Sequence, residues 1–469
     1  MTLLITVGIF LLPVLSGGMF VHLLWPERDI SLLSFKVFLG IGIGLGLSSL
    51  LYFLYLFAFA GRHWFVFLQL AIFLGLLAIT VRTERERGSF SMPRFNLSRT
   101  QFILAGIAAI VLVVSLFGTA SYLLRRQQGD WDAWMMYNRS ARFIFRDQPH
   151  WLDSFSRQMD PIFHADYPLL LALNVASGWD TLGVESAYVQ MLQSALFALA
   201  TLGILVSALA ALKSVGQASL GLIVLWGTPT LVNEGAREMA DLPLAFFILS
   251  TAILIHLHFV YKKPALIVLA GLTAGLAAWT KNEGSLFVIA AGAGLIAACL
   301  RDKPWRVLFR YVLGLAFPFV TVVCFKLFLA PPSDVLSNGA ARSIQQILEP
   351  SRHLEIVQYL GRELFSFGGW TKLFGVLPVL LVYFLLFRLP VNKELRPAFL
   401  AVITMLAVQL LGDYGVYLIT PYDLTWHLSY SIERIVLQIF PVIAFLVLCA
   451  SQTPEMIFGP NPGKNEMEP

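Results

Sequence analysis

Charged residues and cysteines are scarce in this chain of 469 residues. Charged side chains make up 13% of the sequence, and the 3 cysteines lie in apolar runs without the spacing of a metal site. Soluble domains carry about a quarter charged residues, so an ordinary soluble enzyme is excluded. The formal charge of +5 is spread along the chain, which excludes a nucleic-acid-binding protein.

Long apolar runs fill most of the chain, in which 58% of the residues are hydrophobic. Lipid admits only helices or closed barrels, and continuous runs without alternation indicate helices. We therefore predict an all-α polytopic membrane protein with about 13 transmembrane helices, and interpret residues 1–469 as a single integral membrane domain. The first run lacks the charged start and cleavage site of a signal peptide, which favours a span. The predicted spans are 3–24, 33–60, 64–81, 102–124, 185–212, 218–232, 241–260, 264–280, 285–300, 307–329, 371–388, 397–415 and 432–450.

The distribution of lysine and arginine predicts the orientation. Basic residues concentrate in alternate short connections, which places the N-terminus outside and the C-terminus inside the cell. Two long polar segments, 125–184 and 330–370, then become external loops in which we expect amphipathic interfacial helices. Ionisable residues at span ends mark function, so we expect a site at the external surface. The clusters that suggest it are Glu234–Asp241, Lys281–Glu283, Asp413 and His427–Arg434.

The first external loop contains an amphipathic stretch, residues 129–146. An α-helical wheel places an apolar stripe that includes Trp134 and Tyr137 toward lipid, and Asp132 and Arg139 on the opposite face. Asp132 is either a general base or the partner of a nearby cation such as Arg139. Asp130 is either a helix cap or a second catalytic acid.

Later acids and bases allow two interpretations each. Asp166 either caps a helix between Pro168 and Gly178 or adds an acid to the site. Lys281 either pairs with Glu283 in a tight hairpin or offers a point charge to a phosphate. Glu238 and Asp241 are either ordinary acids at a helix start or site residues. His150 and His164 lack partners at metal-ligand spacing.

The last span begins with a polar stripe formed by His427, Ser431 and Arg434. The planar donors of Arg434 are suited to a bidentate contact with a phosphate, to which His427 and Ser431 would add donors. The alternative is that Arg434 pairs with Glu433 or another acid. In the second loop, apolar positions between Arg352 and Phe365 predict another amphipathic helix.

This combination of motifs resembles the GT-C glycosyltransferases, which use polyprenyl-phosphate sugars, and among them the protein O-mannosyltransferase and aminoarabinose-transferase group. Here the acidic pair of the first-loop motif is only half present, because Ala133 follows Asp132, and that loop follows about the fourth span. Asp166-Tyr167 stands where a basic residue often precedes the Pro-Leu stretch. The stretches that carry the resemblance are Asp132-Ala133, Tyr167-Pro168-Leu169, Arg237…Asp241-Leu242-Pro243, Trp279-Thr280-Lys281 and Arg434…Pro441.

The resemblance implies an inverting transfer of a sugar from a polyprenyl-phosphate donor to an acceptor hydroxyl of a lipid, glycan or protein. It implies no cofactor, leaves the metal requirement open, and places the protein in a bacterial inner membrane with its site facing the periplasm and its partners among membrane lipids. The implied roles are catalysis by Asp132, Asp130 and Asp166, donor-phosphate binding by Arg434, His427, Lys281 and Arg139, and substrate binding by Glu238, Asp241, Glu283 and Tyr167.

Two other classes of function fit the composition. A transporter or lipid flippase needs polar residues along a path through the bilayer, and Lys326 is the main candidate for such a position. A non-catalytic scaffold with an external platform is the other alternative. It gives no reason for acids and bases to gather on one face.

Overall fold

The computed structural model describes residues 2–27, 30–85, 97–156, 158, 161–300, 304–333, 339–369, 371, 374–390 and 392–458. These residues form helices and connections, and the one β-bridge among them joins Arg388 to Ser451. The predicted all-α class therefore agrees with the described part of the chain. Parts of both predicted loops, residues 157, 159 and 160 and residues 334–338 and 370, lie outside the described residues.

Ten of the described helices are long and apolar enough to cross a membrane, so the chain is a polytopic membrane protein by length and composition. They are α1 (Thr2–Leu24), α2 (Ile30–Phe59), α3 (Phe65–Arg85), α4 (Arg99–Arg125), α7 (Ala187–Leu212), α10 (Asp241–Tyr261), α12 (Asn282–Cys299), α13 (Pro304–Phe328), α17 (Arg396–Leu418) and α18 (Leu424–Ala450).

Three shorter apolar helices fall where the sequence predicts further spans. These are α8 (Val215–Trp226), α11 (Pro264–Thr280) and α16 (Val376–Phe387), which are below the length of a full membrane crossing. Length thus supports ten of the spans predicted from sequence. The remaining described α-helices are α5 (Asn138–Arg146), α6 (Leu170–Leu182), α9 (Pro229–Glu234), α14 (Ala340–Ile347), α15 (Pro350–Ser366) and α19 (Pro454–Phe458).

Helix α10 lies at the centre of the bundle. Every residue from Asp241 to Leu257 is buried, because α7, α11, α17 and α18 pack around it. Such a helix is apolar on all sides, as expected for the core of a large helical protein. Its first residue is therefore an acid placed at the end of the most buried of the ten long apolar helices.

Helices α11 and α13 approach each other at backbone distance. A Cβ added to Gly314 would lie 1.8 Å from the carbonyl oxygen of Val268, and one added to Gly271 would lie 2.0 Å from that of Tyr311. Membrane helices commonly pack through small residues in this way. The contact fixes α11, and with it Lys281 at its C-terminal end.

The amphipathic stretch of the first loop is not one continuous α-helix. Residues Ala133–Tyr137 form a π-helical turn, and α5 follows directly. The wider π turn rotates the residues after it, so the lipid-facing stripe expected from an α-helical wheel is wrong at Tyr137, which is buried with 3% exposure. Trp134, in the same expected stripe, remains 43% exposed.

Two further loop helices can be compared with their predicted bounds. The expected end at Gly178 is wrong, because α6 continues to Leu182 and ends where Gly183 adopts a φ of 70°. This left-handed conformation suits glycine and terminates the helix. In the second loop, the amphipathic helix expected between Arg352 and Phe365 is present as α15, with Ile356 buried on its inner side.

Candidate functional site

Arg434 joins the first loop to the bundle core. Its Nη2 lies 2.7 Å from Oδ2 of Asp132 and 2.7 Å from Oδ2 of Asp241, and its Nε donates to the same Asp241 oxygen at 2.8 Å. Helix α18 brings Arg434 to this point because it packs along α10. The pairing of Arg434 with an acid is thus observed, although the acids are Asp132 and Asp241; Glu433 instead accepts a hydrogen bond from Thr230 at 2.9 Å.

Asp241 is completely buried, and three side chains satisfy its carboxylate. Besides Arg434, Lys281 donates to Oδ1 at 2.9 Å and Gln438 donates to the same oxygen at 2.8 Å. Gln438 comes one helical turn after Arg434, a spacing that places both side chains on one face of α18. Gln438 is not among the site residues predicted from sequence, although this spacing could have indicated it.

Lys281 lies in the connection between α11 and α12. It contacts Oδ1 of Asp241 at 2.9 Å and Oε1 of Glu283 at 2.6 Å, so the ion pair with Glu283 is observed and Asp241 is a second partner. The phosphate-binding role of Lys281 stays a prediction. Burial alone would lower the pKa of Lys281, but Asp241 and Glu283 raise it above its ordinary value, so the ammonium stays charged. The cluster therefore contains three carboxylates, those of Asp132, Asp241 and Glu283, and two cations, Lys281 and Arg434.

Tyr137, which was expected to face lipid, is a buried residue of the site. Its hydroxyl is buried and has no hydrogen-bond partner among the described residues. Burial, followed by the negative charges of Asp132 and Asp241, raises the pKa of Tyr137 well above its ordinary value, so the phenol stays protonated. The hydroxyl therefore remains available as a donor beside the carboxylates.

Asp130 belongs to a separate ion cluster. Its Oδ1 accepts from Tyr122 at 2.8 Å and from Arg126 at 2.6 Å, while its Oδ2 lies 2.8 Å from Nε of Arg237. Its side chain does not cap the following helix; its backbone carbonyl instead accepts from the Trp134 N–H at 3.2 Å. These contacts tie the C-terminal end of α4 to the connection before α10.

Glu238 is a buried carboxyl group in a strained backbone position. Its φ is 59°, a left-handed conformation that is costly for a residue with a side chain. Oε2 accepts from Asn138 at 3.4 Å, whereas Oε1 is buried without a hydrogen-bond partner among the described residues. Burial raises the pKa of Glu238 to about 9, so the group is protonated at neutral pH.

Asp166 is held by residues from three parts of the chain. Asn282 donates to its Oδ2 at 3.0 Å, and Nζ of Lys326 lies 3.4 Å from the same oxygen and also contacts the Asp166 backbone carbonyl. His164 lies 3.9 Å from Oδ1. Lys326, the residue expected on a transport path, is therefore bound to the loop.

Arg139 differs from the other cations of the site. Its Nη2 donates to the Phe163 carbonyl at 3.2 Å and its guanidinium lies 4.2 Å from the Phe163 ring centroid. Nε and Nη1 are buried without partners, and no carboxylate pairs with Arg139 among the described residues. Burial lowers the pKa of Arg139 to about 10, so it remains charged at neutral pH without a neutralising acid.

The remaining predicted site residues contact neighbouring polar or aromatic side chains. His427 shares a hydrogen bond of 2.8 Å with Thr420, and Ser431 shares one of 2.8 Å with Tyr417. The Tyr167 ring packs against the His164 ring at an interplanar angle of 43°, with centroids 4.8 Å apart. The predicted roles of these residues in binding donor or acceptor stay predictions.

Among the described residues there is no group of three histidine, cysteine, aspartate or glutamate side chains that could hold a metal ion. The first loop contacts three of the predicted clusters, through Asp132 with Arg434, Asp130 with Arg237 and Asp166 with Asn282, so these clusters lie on one side of the helix bundle. This chain was compared with protein-family models, curated proteins and solved structures, and none of them matches it.

Proposed function

We propose that this protein is a membrane glycosyltransferase that takes a sugar from a polyprenyl-phosphate donor. The observation that carries the proposal is the contact between Asp132 and Arg434, at 2.7 Å, beside a buried cluster of acids and bases. General-base catalysis requires a carboxylate that is held in position and that a substrate hydroxyl can reach. Asp132 is the carboxylate in this role because its side chain is 18% exposed, whereas Asp241 is fully buried.

In the proposed reaction an acceptor hydroxyl attacks the anomeric carbon of the donor. The new C–O bond forms as the bond to the phosphate oxygen breaks, the hydroxyl proton passes to Asp132, and the phosphate leaves with the bonding electron pair. Direct displacement of this kind inverts the anomeric centre. Arg434 fixes the carboxylate orientation, and the Tyr137 hydroxyl supplies a neutral donor nearby.

Arg139 is the best placed of the predicted phosphate ligands. Arg434 and Lys281 already face carboxylates, so a phosphate would compete with Asp132, Asp241 and Glu283 for them. The buried donors of Arg139 have no such competitor among the described residues.

The proposal extends to the number of transmembrane helices and to the membrane in which the protein lies. We propose a GT-C-like fold with about 13 transmembrane helices in a bacterial inner membrane, and a site that faces the periplasm. The acceptor is a hydroxyl of a lipid, glycan or protein in the cell envelope. The lysine and arginine distribution and the gathering of Asp132, Asp166 and Arg237 on one side of the bundle support this placement.

The test is to incubate the purified full-length protein with a panel of polyprenyl-phosphate sugars and to analyse the products by mass spectrometry. We expect a glycosylated acceptor or hydrolysed donor with the wild type, and neither with Asp132→Asn. Reconstituted vesicles distinguish the alternative flippase: movement of the lipid between leaflets without a glycosylated product would overturn the proposal.

A further inference from the structure

The second loop turns apolar side chains outward along both of its helices. Leu348, between α14 and α15, is 73% exposed, and Leu354 of α15 is 61% exposed. Ile344 of α14 and Val357 of α15 are also more than half exposed. Single apolar side chains are common on protein surfaces, but a group of them marks contact with a membrane or with another molecule.

Polar residues of the same two helices point inward and bind the bundle. Gln346 of α14 donates to the Thr420 carbonyl at 3.0 Å. Arg352 of α15 donates to the carbonyls of Tyr417 and Leu418 at 3.1 Å each, and so satisfies two groups at the C-terminal end of α17. These contacts fix both helices against the bundle in the orientation that leaves their apolar residues outside.

The exposed apolar surface continues onto α18, which is long and apolar enough to cross a membrane. The Thr425 hydroxyl donates to Glu355 at 2.5 Å, so α15 lies beside the first turn of α18. On that part of α18, Trp426 and the 69% exposed Tyr430 lie with ring centroids 5.4 Å apart. Tryptophan and tyrosine are enriched where a membrane meets water, so this pair marks the level of the lipid headgroups.

We propose that α14 and α15 lie in the headgroup layer of the membrane, with Leu348, Leu354 and Val357 among the upper acyl chains. Lipid is the occupant because the apolar patch is continuous with the exposed surface of a membrane-spanning helix and lies at the level of its aromatic pair. The apolar pattern of the sequence predicts α15 alone and does not show which of its sides faces the bundle.

The polar flank of α15 agrees with this placement. Arg362 is exposed and, at 3.6 residues per turn, lies about 80° around the helix from Leu354. A long basic side chain in this position extends to the headgroups and the water above them. The helix therefore presents one side to the bundle, one to the acyl chains and one to water, as interfacial helices do.

The experiment is site-directed spin labelling of the full-length protein in phospholipid vesicles. Cys324 is the exposed native cysteine and is replaced by alanine, and the chain without an added cysteine gives the background signal. Electron paramagnetic resonance then measures how often each label collides with oxygen, which concentrates in lipid, and with a water-soluble nickel complex. The labelled variants are Leu348→Cys, Leu354→Cys, Val357→Cys and, as the matched control on the polar flank, Arg362→Cys.

The ratio of oxygen to nickel collisions should be several-fold higher at the three apolar positions than at Arg362→Cys. All four substitutions replace exposed or surface side chains, so the variants should elute as the wild type does. Frequent nickel collisions at the apolar positions would show that the loop faces water and would overturn the proposal. Infrequent collisions with both reagents would also overturn it, because they would show that protein, such as a second copy of this chain, covers the patch. None of these outcomes depends on sugar transfer.

Discussion

Arg434 holds Asp132 at 2.7 Å while the same guanidinium binds the buried Asp241. The two carboxylates differ in exposure, since Asp241 is inaccessible and the Asp132 side chain is 18% exposed. Asp241 is thus a structural counter-ion, and Asp132 is the carboxylate that a substrate can reach. This division of roles leads to distinct expectations for substitutions at the two positions.

Asp132→Asn should lower the rate of sugar transfer by about 10²- to 10⁴-fold, the usual loss when a general base is removed. The measurement is the initial rate of donor consumption by protein that elutes as the wild type. Asp153→Asn is the matched control, because Asp153 is an exposed carboxylate in the same loop. A rate near that of the wild type would exclude Asp132 as the base.

Asp241→Asn should destabilise the fold more than Asp132→Asn does. Removing the buried carboxylate leaves Arg434 and Lys281 without their shared partner, and breaking such a buried ion pair costs about 3–5 kcal/mol. Asp132 is partly solvated, so its removal costs less. The apparent unfolding temperature in detergent should be highest for the wild type, lower for Asp132→Asn and lowest for Asp241→Asn. An equal fall in unfolding temperature for the two variants would contradict the assigned roles.

Arg139→Met should weaken donor binding without lowering stability. Methionine keeps contact with the Phe163 ring, and the substitution removes a buried cation that has no carboxylate partner among the described residues. We expect the KM for the polyprenyl-phosphate donor to rise by about tenfold or more, and the unfolding temperature to stay equal or rise.

Arg146→Met is the control for this experiment. Arg146 belongs to the same helix but is exposed and pairs with Glu185 at 2.5 Å. Its substitution should leave the KM unchanged. A fall in unfolding temperature together with an unchanged KM in Arg139→Met would show that Arg139 is structural and does not bind the donor.

Glu238→Gln should change how stability depends on pH. The folded-state pKa of Glu238 is raised to about 9 from an ordinary value of 4.5, because the carboxyl group is buried. Above pH 4.5 the unfolded chain loses this proton while the folded protein keeps it, so unfolding becomes easier as the pH rises toward 9. The slope is at most about 1.4 kcal/mol per pH unit for one group.

Glutamine removes that contribution and keeps the hydrogen bond with Asn138. Unfolding temperatures measured from pH 5 to pH 9 should therefore decline less steeply for Glu238→Gln than for the wild type. Glu349→Gln, at an exposed acid before α15, should leave the slope unchanged. Parallel curves for Glu238→Gln and the wild type would mean that Glu238 is ionised in the folded protein.

The amino-acid sequence by itself determined the class of protein and the position of its longest helices. Apolar runs specify helices in lipid through local hydrogen bonding, which requires no knowledge of neighbours. The chemistry of the candidate site was also visible, since Asp132, Lys281 and Arg434 stand out as ionisable residues at the ends of apolar runs. Their gathering on one side followed from the alternation of spans.

Only the tertiary structure decided which charges meet. Arg434 forms ion pairs with Asp132 and Asp241, and not with the adjacent Glu433, because α18 packs along α10. The π turn before α5 buries Tyr137, a shift in register that no α-helical wheel includes. Arg139 has no carboxylate partner in the described structure. Which charges pair depends on the distances between helices, and these distances cannot be read from the spacing of residues in the sequence.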